Sequence, residues 1–141
     1  MMKSLIAAAG LALLGAGLLA APLPAAAHGP EMVTPLFKRA LPNLPGKTFI
    51  AVEVAYPPGA ASPAHTHPKS AFIYAYVLSG EIVSAVDDET PHVYRAGDSW
   101  YEAPGARHTV SRNASKDKPA RLLAVFVADA GERELVLPDR K

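Results

Sequence analysis

His65 and His67 are separated by a single residue, Thr66. On an extended segment, side chains two positions apart leave the same face, about 7 Å apart along the backbone. Two imidazole nitrogens can therefore converge on one ion. Neutral imidazole suits zinc, iron, copper, nickel and manganese to differing degrees. A bare pair with this spacing also arises by chance, so its surroundings must decide. Taken alone, His108 beside Arg107 reads as a core or turn histidine, and His92 as a histidine on the surface of a short strand.

The elements that must hold these side chains read as strands. Thr48 to Tyr56 alternates Ile50, Val52, Val54 and Tyr56 with Phe49, Ala51, Glu53 and Ala55, and Pro57-Pro58-Gly59 ends the run. Ala71 to Leu78 is rich in aromatic and β-branched residues, and Ser79-Gly80 turns it into a second run, Glu81 to Val86. His92 to Arg95, Ser99 to Ala103, His108 to Asn113 and Arg121 to Ala128 complete the pattern, with turn residues such as Ala96-Gly97-Asp98 between them. About eight short strands and no convincing helix leave an all-β sandwich or barrel as the packing that buries one face of each.

The chain has 141 residues, enough for one domain, with a net charge of +1 and no cysteine. A balanced charge argues against a nucleic-acid or anionic-membrane partner. Without cysteines the fold must be held by burial alone. Residues 1–27 read as a secretory signal: Lys3 at a basic start, an apolar run from Leu5 to Ala21, and Ala25-Ala26-Ala27 for cleavage. Three glycines and the Pro22/Pro24 pair argue against that run as a lasting membrane anchor, so a periplasmic or secreted protein is expected. Residues 28–46 are proline-rich and read as an arm with one helical turn near Leu36 to Ala40; residues 47–128 form the barrel domain and 129–141 a tail.

Gly59, His65-Thr66-His67 and a strand ending at Gly80, followed by Gly97-Asp98, Pro104-Gly105, His108 and Asn113, resemble the two signature motifs of the cupin superfamily. The resemblance covers roughly Lys47 to Ala128, and GDSWYEAPGARHTVSRN is its more specific half. It implies a double-stranded β-helix, or jelly-roll, barrel with His65, His67 and His108 pointing inward to hold one divalent transition metal ion (Zn, Fe, Mn, Ni or Cu). The family usually adds a glutamate a few residues after the second histidine. This chain has Ala71 or Phe72 there, and counting back from Gly80 lands on Ile73. None of these can ligate a metal, so Glu102, just before the Ala103-Pro104-Gly105 turn, is the candidate for a fourth ligand or general base, weighed against a solvent-facing strand residue.

Glu53 reads as able to reach the same interior or as half of a surface pair. Asn113-Ala114-Ser115 matches a glycosylation acceptor, but a turn role is the better reading. Cleavage after Ala27 would leave His28 as a terminal copper chelator, an arrangement that needs histidines the cupin-like motifs already occupy. Tyr74, Tyr76, Trp100 and Phe126 are the aromatic residues assigned to the wall of a pocket for a small organic ligand; strand alternation allows either the two tyrosines or their neighbours to face inward.

Two functions follow as expectations. The first is an exported metal-dependent enzyme acting on a small molecule, whether dioxygenase, hydrolase or isomerase. The second is a non-catalytic periplasmic module that holds a metal or small ligand. A homodimer is expected from the arm and the sheet edges.

Overall fold

The computed structural model describes residues 29–139. The signal-like segment and His28 lie outside the described residues. Among the described residues eleven strands follow one another: β1 (Met32–Ala40), β2 (Lys47–Tyr56), β3 (Ala61–Ser62), β4 (His65–Thr66), β5 (Phe72–Ser79), β6 (Glu81–Val86), β7 (His92–Arg95), β8 (Ser99–Glu102), β9 (Arg107–Asn113), β10 (Ala120–Asp129) and β11 (Leu137–Pro138). One antiparallel sheet runs β1-β2-β10-β5-β8, and the other β11-β4-β9-β6-β7 with β3 also on β9.

The core lies between the sheets, where strand alternation turns one residue in two inward. On β10 the inward set is Ala120, Leu122, Ala124, Phe126 and Ala128, and on β5 it is Ile73, Ala75 and Val77. Alanines at several of these positions keep the interior from being filled completely. That is how a barrel of this size retains a cavity.

The segment read as an arm with a helical turn is strand β1 instead. It pairs with β2 from Met32 opposite Ala55 to Ala40 opposite Thr48, with a register shift between Pro35 and Phe37. Pro35 is accommodated because β1 is an edge strand, where a missing N–H leaves no neighbour unpaired. The tail is also part of the fold, since β11 pairs with β4. Among the described residues no helix is long and apolar enough to cross a membrane.

Candidate metal centre

Adjacent strands bring the three histidines together. His65 on β4 stands directly opposite His108 on β9, so both side chains leave the same face of the sheet. His67 follows just after β4, and its N–H donates to the Ala106 carbonyl at 3.0 Å. Glu102 arrives from the other sheet at the end of β8, and the turn that closes Ala106 N–H onto the Ala103 carbonyl leads the chain into β9. Gly105 takes φ +77° in that turn, a conformation that glycine adopts without steric cost.

One ring nitrogen from each of His65, His67 and His108 lies within 4.8 Å of the others, and all three side chains are buried. The remaining ring nitrogens are engaged behind them. His65 Nδ1 is 2.8 Å from the Pro63 carbonyl and His67 Nδ1 is 2.6 Å from the Leu135 carbonyl. A carbonyl only accepts, so both Nδ1 atoms carry a proton and each Nε2 is the nitrogen turned toward the cavity. His108 Nε2 is 2.8 Å from Ser84 Oγ, which leaves its Nδ1 toward Glu102.

Glu102 is 2% exposed. Its Oε1 accepts from the Trp100 indole N–H at 3.1 Å and lies 3.3 Å from His108 Nδ1. Its Oε2 stands 3.0 Å from His67 Nε2 but out of line for a hydrogen bond, so it is a buried oxygen with no aligned donor. Buried polar atoms of this kind call for an explanation, and a buried carboxylate needs a cation. Three imidazole nitrogens within 4.8 Å of one another, with an unmatched carboxylate oxygen 3.0 Å from one of them, are a donor set that fits a divalent transition metal.

The electrostatics agree with that fit. Burial lowers the His108 pKa to about 4, with His65 and His67 adding to the effect against the opposing pull of Glu102. Burial also holds His65 below its ordinary value. His67 differs: burial pushes it down, but the Glu102 carboxylate outweighs burial and holds it above the usual range. Burial works to raise Glu102, and the close approach of His67 with the charges of His108 and His67 overcomes it, leaving the carboxyl below its usual value. At neutral pH, Glu102 is therefore an anion, and His65 and His108 are neutral ligands in waiting.

The histidines and Glu102 line a cavity of about 100 Å³ together with Trp100 and Phe126. Tyr74 and Tyr76, assigned to the same wall, are not in it. Both point outward from β5, and Ile73 and Ala75 take the inward positions. The correction is one of phase, because alternation excludes the tyrosines once Ile73 faces the core. Glu53 forms a two-point surface pair with Arg121, at 2.9 and 2.7 Å. His92 is exposed and packs on Tyr94. Asn113 is buried, donating to the carbonyls of Tyr56, Pro57 and Lys118 while its Oδ1 accepts from Ser115 N–H. It braces a turn.

Several cavity residues went unnoticed in the sequence. Tyr56 Oη lies 2.8 Å from both Ser62 Oγ and Ser111 Oγ, a hydroxyl cluster on the cavity wall. Polar residues at inward strand positions are the available signal, and the register shift beside Val86 hides it on β6 and β9. Glu31 lines the cavity as well, and among the described residues neither lysine nor arginine does. The Leu135 carbonyl carries no signal at all, since every residue has one.

A family model described as a cupin domain matches residues 52–126. Among solved structures, the chain is similar to TT1209 from Thermus thermophilus, at 27% identity and a TM-score of 0.57, with 70% of this chain and 84% of that one covered. It is similar to the DMSP lyase DddQ from Ruegeria pomeroyi at 26% identity and a TM-score of 0.54, with 66% of this chain and 45% of that one covered. A double-stranded β-helix protein from Klebsiella pneumoniae, 20% identical with a TM-score of 0.60 over 79% of this chain and 87% of that one, shares the fold. No curated protein sequence matches.

Proposed function

The chain belongs to the cupin family, and from that premise we propose that it is an exported metal-dependent enzyme acting on a small organic molecule. The observation that carries this reading is the convergence of His65, His67 and His108 in the wall of an apolar cavity that the unmatched Glu102 oxygen shares. His65, His67 and His108 would hold a divalent transition metal, with Glu102 as a fourth ligand or a base. When bound, such an ion supplies a Lewis acid for a carbonyl, water or oxygen.

The chain's own residues define the rest of the chemistry. Trp100 fixes Glu102 Oε1 and leaves Oε2 toward the cavity, so Oε2 is the atom that takes a proton from a substrate. The depressed pKa makes Glu102 a base or ligand, not an acid, at neutral pH. Phe126, Ile73 and Leu122 exclude water, and Tyr56 with Ser62 and Ser111 offers hydroxyls to a substrate oxygen. Two carboxylates with neither lysine nor arginine on the wall favour a small uncharged hydroxy or carbonyl compound over a dianion. The DMSP lyase resemblance supports an enzyme in general, and this chain spans less than half of that protein.

The second reading is a module that holds a metal without turnover, favoured by a cavity of only about 100 Å³. Loading the full chain with each metal in turn and assaying a panel of small hydroxy and carbonyl compounds separates the two. Turnover that is lost in Glu102→Gln with the metal retained supports the enzyme. Tight metal binding without turnover of any compound supports the module. Export rests on residues 1–27 and is checked by the amino terminus of the mature protein. Dimerisation rests on the exposed edge strand β1 and the outward Tyr74, Tyr76 and Tyr101, and a monomer in sedimentation at high micromolar concentration would refute it.

A further inference from the structure

After β10 the chain turns, with Glu132 N–H donating to the Asp129 carbonyl, and continues along strand β4 as far as Asp139. Three separate contacts hold this segment down. Ser70 donates to Glu132 at 2.8 Å. Leu137 and Pro138 pair with Thr66 and His65, on the strand that carries the first histidine. Arg107 donates to Asp139 through Nε at 3.1 Å and through Nη2 at 2.6 Å. Between these anchors, the Leu135 carbonyl accepts from His67 Nδ1 and Val136 lines the cavity. Leu135 also packs on the hydrophobic core.

We propose that residues 132–139 form a positioning strap for the metal centre, in which the Leu135 carbonyl sets the tautomer of His67 so that its Nε2 lone pair faces the cavity. The proposal rests on the metal-centre reading for its purpose, but not for its geometry. A free imidazole prefers its proton on Nε2, which would turn a donor N–H toward the site and block ligation. The carbonyl 2.6 Å behind Nδ1 works against that preference and against the pull of the misaligned Glu102 oxygen 3.0 Å from Nε2. Groups behind metal-binding histidines generally act in this way, and losing one costs about 10- to 100-fold in metal affinity. The strap therefore works through His67 and needs no contact with ligand.

The test compares the full chain with a chain ending at Ala130 and with a Glu132→Ala/Asp139→Ala variant, which removes one half-buried and one exposed anchor and leaves the core intact. Nitrogen NMR of the metal-free proteins, above the His67 pKa, reads the tautomer directly. The full chain should hold His67 as the Nδ1–H form, and both altered chains should shift toward Nε2–H. Zinc titration should show affinity falling about 10- to 100-fold in the truncated chain and less in the double variant. If truncation prevents folding, the double variant carries the comparison. An unchanged tautomer in the folded altered chains would overturn the proposal. Should the full chain bind no zinc, the metal reading fails, while the tautomer in metal-free protein still decides the strap.

Discussion

Ile73 and Glu102 are direct partners across β5 and β8, both buried and both facing the cavity. The position reached by counting back from Gly80 to the usual family glutamate is thus occupied by an apolar residue whose neighbour on the next strand carries the carboxylate. Opposite residues in an antiparallel pair have Cβ atoms about 5 Å apart. A carboxylate moved by one strand can therefore serve the same point.

That relationship predicts a swap. Glu102→Ala should weaken zinc binding by about 100-fold, the upper end of what a supporting group contributes. Adding Ile73→Glu to that variant should recover about tenfold of the loss, short of the full amount because Trp100 would no longer orient the carboxylate. Titration with a competing chelator measures both values. A second substitution that restores nothing would show that the two positions do not share a site.

Gly80 should tolerate no side chain. It has φ +72°, and a Cβ there would come within 2.7 Å of the Pro119 carbonyl oxygen and 2.8 Å of Ala120. Those contacts are backbone atoms and the Ala120 Cβ, none of which can rotate away. Gly80→Ala should cost more than about 2 kcal/mol, whereas Gly46→Ala, at φ +81° with open space around it, should cost about 1 kcal/mol. Urea midpoints at constant slope distinguish the two.

The pH dependence of the metal-free protein follows from His108. Its pKa is depressed from 6.5 to about 4, so between those values the unfolded chain binds more protons than the folded one. Stability is then full above pH 6.5 and lost as the pH falls toward 4, by about 3 kcal/mol on the scale of 1.4 kcal/mol per unit. His65, lowered by burial, acts in the same direction. Glu102, also lowered, contributes stability that is present above its unfolded value of 4.5 and lost as the pH falls through its folded one. His67 opposes them, because its raised pKa gives stability at low pH that is lost on raising the pH. Chemical denaturation from pH 7.5 to 4.5 should show a net fall, and His108→Asn should flatten it.

Most of the barrel was legible because its strands alternate clearly and end at turn residues. The histidines could be assigned together because turns set their spacing: His65 and His67 share a face, and the Pro104-Gly105 turn returns the chain to place His108 opposite His65. Two things were hidden for physical reasons. The phase of β5 could not be settled locally, since Phe72, Tyr74, Tyr76 and Leu78 look as suited to a core as Ile73, Ala75 and Val77; the outward aromatics stay about 40% exposed. The proline-rich arm concealed β1, because composition reports what a proline forbids in a central strand and not what an edge permits.

Metal analysis of the untagged chain beside a His65→Ala/His67→Ala variant tests the central claim most directly. Close to one equivalent of a divalent transition metal should accompany the chain after purification or reconstitution, and the variant should carry none while remaining folded. A chain that holds no metal after reconstitution, or a variant that binds as much as the parent, would contradict a centre built on His65, His67, His108 and Glu102.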